Sequence, residues 1–204
     1  MPGVVLVHGA ATTPVVWDHV VARLPGVEIL APSRPSTGDL QRECDWLESL
    51  AADAVVFGMS GGATLVLELA ARGGGGARAL IAHEPAAGSL APAFFAPLAT
   101  ALATGGVPAF GSLLYGPLWV LDPGVDPEAV ARDVAMFRAF EPRPPAASAL
   151  VTTGELSPPL RHDIGAGLGA LGYGIRTIPG ARHFIALEAP DAVAELIREA
   201  LDRE

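Results

Sequence analysis

The chain has 204 residues, of which 50% are hydrophobic and 17% charged, so it is long enough for one domain with a sizeable core and is not a disordered protein. The formal net charge of −9, without any basic stripe, argues against nucleic acid or an anionic membrane as a partner. Cys44 is the only cysteine, which excludes an internal disulfide bond. The sequence shows no signal-peptide pattern, and we expect no apolar run of membrane-spanning length and a cytoplasmic protein.

Short apolar runs rich in β-branched residues alternate with stretches in which apolar residues recur at helical spacing. The predicted strands cover residues 3–7, 27–31, 54–57, 78–83, 148–153 and 173–178. The predicted helices between and after them cover residues 14–24, 40–51, 63–71, 158–171 and 190–201. This alternation predicts an α/β fold with three layers, in which helices cover both faces of a sheet of about six parallel strands.

Residues 85–147 interrupt the alternation. Proline and glycine recur in this segment, aromatic residues cluster, and helical pieces are predicted at residues 92–103, 107–115 and 127–140. Because the segment is too long for a simple connection, we predict a helical cap inserted between two parts of a core, residues 1–84 and 148–204. The aromatic side chains either pack this cap onto the core or line a pocket beneath it.

The most informative motif is G-x-S-x-G, formed by Gly58, Ser60 and Gly62 between the third strand and the next helix. A strand that turns sharply into a helix holds its central residue in a strained conformation, and flanking glycines supply the space that the turn needs. The Ser60 hydroxyl would then stand at a helix N-terminus, where backbone N–H groups and the helix dipole stabilise developing negative charge. Ser60 is therefore the candidate nucleophile.

A serine nucleophile needs a base on a neighbouring loop, and His183 is the best candidate. It lies between the last strand and the last helix, at the same carboxyl edge of the sheet as Ser60. Of the other histidines, His8 and His83 lie at the ends of predicted strands, whereas His19 and His162 lie on predicted helices. His8 more simply braces the turn after the first strand, whereas His83 fits a buried role and a functional role equally well.

Together these motifs resemble the α/β-hydrolase family over nearly the whole chain. The matching pieces share the family's order and spacing, and they are Val7 to Gly9, Trp17, Ala31-Pro32, Gly58 to Gly62, Thr153-Gly154, Gly180 to Phe184, and Glu188 to Asp191. The resemblance implies Ser60 as nucleophile and His183 as general base. It also implies that the backbone N–H groups of Ala10 and Gly61 form an oxyanion hole, with no cofactor and no metal.

The chain departs from the family's pattern in two ways. Two strands that usually precede the first strand are absent, and Ser157 stands where the family usually has the aspartate of its triad. Because serine cannot stabilise an imidazolium as a carboxylate does, another acid is needed. Glu84 at the end of strand four is the favoured candidate. Glu155 is the alternative acid, Asp163 falls on a predicted helix, and the absence of any acid stays open.

The expected function is a cofactor-free serine hydrolase that cuts a small ester, thioester or lactone with an apolar portion. One alternative is a lyase or isomerase of the same fold in which His183 moves a substrate proton, and another is an inactive protein that binds a small molecule. A dinucleotide-binding loop is disfavoured, because G-x-G-x-x-G would need glycine at both Ser60 and Ala63. The sequence gives no indication of the oligomeric state.

Overall fold

A computed structural model describes residues 3–203 and contains one sheet of six strands. The strands are β1 Val4–Val7, β2 Ile29–Leu30, β3 Val55–Met59, β4 Ala79–His83, β5 Leu150–Gly154 and β6 Gly174–Ile178. The α-helices are α1 Asp18–Val21, α2 Leu40–Ala51, α3 Gly61–Ala71, α4 Pro92–Tyr115, α5 Pro127–Arg138, α6 Pro159–Ala170, α7 Ile185–Glu188 and α8 Pro190–Leu201. Short 3₁₀ turns cover Pro14–Trp17, Gly74–Gly76 and Gly88–Leu90.

All neighbouring strands are parallel, in the order β2-β1-β3-β4-β5-β6. The predicted three-layer α/β fold with six parallel strands is thereby confirmed. The register pairs Val7 with Gly58 and Met59 with His83, so the loops after β1, β3 and β4 begin side by side. This edge of the sheet therefore gathers residues that are far apart in the chain.

The central strands are buried on both faces, as their continuous apolar sequences predict. Every residue of β1 and β3 is buried, and α3 is buried along nearly its whole length because it packs on the sheet beneath other helices. Trp17 packs edge-on against Phe57 of β3, with ring centroids 5.8 Å apart. A rigid core of this kind holds the loops at its edge in place.

The first predicted helix, residues 14–24, is shorter in the structure. A 3₁₀ turn at Pro14–Trp17 leads into the single turn of α1, and α1 ends at Val21. Strand β2 is also shorter than predicted, because it is an edge strand that pairs only with β1 and ends before Pro32. The apolar pattern identified both elements but not their bounds.

Residues 85–147 lie between β4 and β5, and we call them the cap segment. Its longest helix, α4, is interrupted at Gly106, whose φ of 64° is not helical; the sequence had predicted two separate helical pieces here. In length and mean hydropathy α4 would suffice to cross a membrane, which the sequence analysis did not anticipate. Phe95, Leu98 and Phe110 on this helix are buried within the protein, although only 22% of its most apolar stretch is buried.

Candidate active site

Ser60 occupies the sharp turn between β3 and α3. Its φ of 56° and ψ of −119° lie in a region that residues other than glycine rarely adopt, which marks a strained backbone of the kind found at functional sites. A Cβ atom at Gly58 would overlap the carbonyl oxygen of Gly62, and one at Gly62 would overlap that of Val7. The glycines of the motif are therefore required by close packing of α3 on the sheet.

Glu84 and His183 meet at the same edge of the sheet. Glu84 follows β4 with a φ of 44°, and its Oε2 accepts a hydrogen bond from Nδ1 of His183 at 3.0 Å. Both side chains are buried, and so is Ser60. The contact that the sequence analysis favoured between these two residues is thus present in the structure, while a catalytic role for the pair remains a proposal.

The other contacts of Glu84 keep its carboxylate ionised and fixed. Its Oε1 accepts hydrogen bonds from the backbone N–H of Gly154 at 2.9 Å and from the hydroxyl of Ser157 at 2.5 Å. The guanidinium of Arg161 lies 3.4 Å from Oε2. Burial alone would raise the pKa of Glu84, but the hydrogen bond to His183 and the nearby positive charge of Arg161 outweigh it and hold the pKa below its ordinary value.

His83 holds the loop that carries His183. It is fully buried at the end of β4, its Nδ1 contacts the Thr152 hydroxyl at 2.9 Å, and its Nε2 lies 3.0 Å from the carbonyl oxygen of Arg182. Since a carbonyl only accepts, Nε2 carries the proton and Nδ1 accepts from Thr152. Of the two roles left open for His83, the structure favours the buried one.

The imidazole of His183 is neutral in this environment. Burial, together with the charge of Arg161, lowers the pKa of His183 to about 4. Because Nδ1 donates to Glu84, the lone pair is on Nε2, and this buried atom has no hydrogen-bond partner among residues 3–203. The ring stacks on that of Tyr115, with centroids 5.3 Å apart and an interplanar angle of 10°. His183 can therefore accept a proton through Nε2, and in this structure Ser60 Oγ does not hydrogen-bond to that atom.

The cap segment covers Ser60. A cavity of about 20 Å³ above Ser60 and Ala10 is walled mainly by apolar side chains of α4 and α5: Phe94, Phe95, Leu98, Phe110, Leu114, Val134 and Phe137. The sequence left open whether the aromatic residues of the cap pack it onto the core or line a pocket. In the structure, Phe94, Phe95, Phe110 and Phe137 line this cavity. A cavity of this size holds about one water molecule.

The two residues predicted to form an oxyanion hole flank Ser60. Gly61 is the first residue of α3, and the ring of Phe137 lies so close that a Cβ atom at Gly61 would overlap it. Ala10 lies in the loop after β1, and its carbonyl oxygen accepts a hydrogen bond from the Tyr115 hydroxyl at 2.8 Å. Their N–H groups remain candidate donors to a developing oxyanion.

His8 braces the same loop, as the sequence suggested. Its Nδ1 donates to the carbonyl oxygen of Gly9 at 2.9 Å, and its Nε2 accepts from the backbone N–H of Arg34 at 3.2 Å. Burial and the neighbouring Arg34 lower the pKa of His8 to about 3. The neutral imidazole therefore links the loops after β1 and β2.

The structure does not bring Glu155 to His183. The Glu155 side chain is exposed, and its carboxylate accepts a hydrogen bond from the backbone N–H of Gly180 at 2.8 Å. Sequence reasoning missed Arg161, since an arginine on a helix carries no motif, and it placed Tyr115 only within the aromatic cluster of the cap. Ser157 was the one sequence signal that the acid lies elsewhere, because it occupies the position where the family usually has its acid. In the structure, the Ser157 hydroxyl donates a hydrogen bond to the carboxylate of Glu84.

Within residues 3–203 no group of three or more His, Cys, Asp or Glu side chains is arranged to hold a metal ion. Chemistry without a cofactor therefore stays a prediction that rests on the residues at the site.

A family model described as an alpha/beta hydrolase family matches residues 4–196. The chain belongs to the alpha/beta hydrolase family. Among curated proteins, none matches it.

Several solved structures share this alpha/beta hydrolase fold. The enol-lactonase from Burkholderia xenovorans LB400 has 21% identity and a TM-score of 0.76, over 99% of this chain and 92% of that one. Naproxen esterase from Bacillus subtilis has 16% identity and a TM-score of 0.69, over 97% and 82%. MenH from S. aureus has 14% identity and a TM-score of 0.69, over 97% and 92%. Identities this low establish the shared fold alone, and the family membership supports a hydrolase without defining its substrate.

Proposed function

We propose that the protein is a cofactor-free serine hydrolase that cuts a small ester, thioester or lactone at Ser60. The observation that carries this proposal is the buried Glu84–His183 hydrogen bond at the sheet edge where Ser60 occupies its strained turn. A histidine oriented by a carboxylate is the arrangement that activates a serine hydroxyl. The solved structures that share this fold include an enol-lactonase and an esterase, which supports this class of substrate.

In the proposed reaction, Nε2 of His183 takes the Ser60 proton as Oγ attacks the substrate carbonyl. The resulting oxyanion is stabilised by the N–H groups of Ala10 and Gly61, each worth a factor of about 10²–10³ in rate. His183 then gives its proton to the leaving group, which leaves an acyl group on Ser60. Water, activated by the same imidazole, releases the acid and restores the serine.

Glu84 acts through His183 in this scheme. Its carboxylate holds the imidazole in the tautomer with the Nδ1 proton, and its negative charge stabilises the imidazolium that forms during the reaction. The bonds from Gly154 and Ser157 keep the carboxylate in one orientation. Glu84 would thus replace the aspartate that other members carry after strand five.

A fluorophosphonate probe tests the nucleophile directly, because it reacts only with an activated serine. We expect covalent labelling of the Ser60 peptide by mass spectrometry, loss of labelling in Ser60→Ala, and full labelling in Ser49→Ala. Ser49 is a suitable control because it lies exposed on α2, where its hydroxyl donates to the Trp46 carbonyl. Hydrolysis of p-nitrophenyl acetate, an acyl thioester and a lactone then separates the substrate classes.

The second candidate is a lyase or isomerase in which His183 alone transfers the proton. The buried Nε2 without a protein partner favours it, since such a base could take a proton from carbon as well as from Ser60. An unlabelled Ser60 in an enzyme that still requires His183 would favour this candidate. If Ser60 is not labelled and no catalysis is found, the third candidate, a protein that binds a small molecule without turnover, is favoured. The cytoplasmic location stays a prediction for all three candidates.

A further inference from the structure

A second concavity, much larger than the cavity over Ser60, opens beside the site. It is a groove of about 480 Å³ between the segment that follows β1 and the stretch that links α4 to α5. Its walls are mainly apolar and include Val15, Val16, Leu118, Trp119, Leu121 and Phe184. The groove is therefore suited to a hydrocarbon chain.

The groove has large apolar side chains at its rim that are exposed to solvent. Val15 is 60% exposed, Leu118 50% and Val120 80%. Exposed apolar side chains that gather around a concavity mark a binding surface more often than scattered ones do. Asp18 and Asp122 also line the groove, so a ligand with a negative distal end would be repelled.

Tyr115 contacts both a wall residue of the groove and a residue of the cavity over Ser60. Its ring contacts Phe184 of the groove wall, with centroids 4.7 Å apart, and stacks on His183. Its hydroxyl donates to Ala10, which lines the cavity over Ser60. A Cβ atom at Gly9 would overlap that hydroxyl and would lie 2.9 Å from Cβ of Ser60. The Tyr115 side chain thus touches one lining residue of each space, Phe184 of the groove and Ala10 of the cavity.

The cavity over Ser60 is too small for any ester, so a wall must move before a substrate can bind. We propose that the groove binds the apolar portion of the substrate and that the Tyr115 side chain is the gate that joins this groove to Ser60. The proposal rests on the proposed hydrolase function and adds the substrate class: a neutral ester or thioester with a hydrocarbon chain. The Tyr115 hydroxyl donates to the neutral Ala10 carbonyl and also lies within hydrogen-bonding reach of Ser60, and a neutral hydrogen bond contributes little net free energy.

The first test compares p-nitrophenyl octanoate with p-nitrophenyl acetate. In Leu118→Glu, a charge on the groove wall should lower the octanoate-to-acetate ratio of kcat/KM about tenfold, a typical effect for a hydrophobic contact in a binding pocket. Leu113→Glu is the matched control, because Leu113 is exposed on α4 but does not line the groove, and its ratio should equal that of the wild type. An unchanged ratio in Leu118→Glu would overturn the proposal.

The second test opens the gate. Tyr115→Ala removes the ring between the two spaces and should raise the same ratio about tenfold. Tyr115→Phe keeps the ring but loses the bond to Ala10, so its ratio should rise by a smaller factor. Equal ratios in Tyr115→Ala and the wild type, with Tyr115→Ala folded by circular dichroism, would show that Tyr115 is not the gate.

A binding experiment keeps this proposal separate from the hydrolase function. In Ser60→Ala, which cannot turn over an ester, ethyl octanoate should raise the melting temperature, and adding Leu118→Glu should abolish that shift. A wild-type protein that resists the fluorophosphonate probe but shows this shift would refute the hydrolase and retain the groove. Labelling of Ser60 without any shift would retain the hydrolase and refute the groove as a binding site.

Discussion

Nδ1 of His183 and Oε2 of Glu84 lie 3.0 Å apart, although the two residues are separated by 99 positions in the chain. Glu84 directly follows β4, and the loop of His183 follows β6, two strands away at the same edge of the parallel sheet. The loop of His183 is attached to this edge through His83, which bonds the Arg182 carbonyl. The acid of the proposed triad therefore comes from a different strand than is usual in the family.

The first prediction concerns this acid. Glu84→Gln keeps the shape of the side chain but removes the charge that stabilises the imidazolium, so kcat should fall by about 10³–10⁴. Steady-state kinetics with p-nitrophenyl acetate measures the loss. Glu155→Gln is the matched control and should retain wild-type turnover, because Glu155 is exposed and bonds Gly180. If Glu155→Gln loses turnover while Glu84→Gln stays active, the acid is Glu155 in the loop after β5.

The second prediction concerns pH. His183 must be neutral to act as a base, and its pKa of about 4 lies below the ordinary value of 6.5. As the pH falls from 7 to 5, kcat/KM should therefore change by less than about twofold, whereas a histidine of ordinary pKa would lose about thirtyfold. Because Arg161 lowers the pKa of His183, Arg161→Gln should move the acid limb of the profile to higher pH.

The stability of the fold needs to be followed over the same range. The pKa of His183 is lowered on folding, so its contribution to the free energy of unfolding is present above pH 6.5 and declines as the pH falls towards 4. The pKa of Glu84 is also lowered, and its contribution declines below the ordinary value of 4.5. Circular dichroism at each pH separates unfolding from titration, and an acid limb near pH 6.5 in a folded wild type would contradict the prediction.

The third prediction concerns the attachment of the cap segment to the core. Arg34, in the loop after β2, forms a buried ion pair with Asp133 of α5 and lies 3.6 Å from the carboxylate of Glu43 on α2. Asp133→Asn removes the shorter of the two ion pairs of Arg34 and leaves only the contact with Glu43, so it should lower the free energy of unfolding by about 1.5–3 kcal/mol, the value of a hydrogen bond to a charged group. Urea denaturation followed by circular dichroism measures the change.

The control for this substitution is the half-exposed ion pair between Arg176 and Glu199, which are 2.7 Å apart. Since exposed pairs contribute little, Glu199→Gln should change the free energy of unfolding by less than about 1 kcal/mol. Equal effects of Asp133→Asn and Glu199→Gln would mean that the buried pair does not hold the cap segment on the core.

Local patterns in the sequence were sufficient for the fold class and for two of the candidate residues. Continuous apolar strands alternating with amphipathic helices imply a parallel sheet, because both faces of such a sheet must be covered. Ser60 could be recognised because the strand, the flanking glycines and the helix are all adjacent in sequence. His183 followed from the order of elements, which places its loop at the same edge of the sheet.

The tertiary structure decided which carboxylate contacts His183. Glu84 and Glu155 both follow strands at the right edge, and sequence spacing alone ranked them without excluding either. Only the path of the backbone, with φ of 44° at Glu84, directs that carboxylate to His183, whereas Glu155 turns to Gly180 and solvent. Periodicity cannot report such directions, because they depend on how separate strands are placed in space.

The cap illustrates the same limit. The sequence indicated helices and an aromatic cluster between β4 and β5, since composition and helical spacing are local properties. It could not show that Tyr115 reaches the Ala10 carbonyl, 105 positions away, or that Arg34 pairs with Asp133 across the boundary between core and cap. Contacts between distant residues are formed only when the core brings their elements together, so the walls of the candidate site could be identified only in the folded chain.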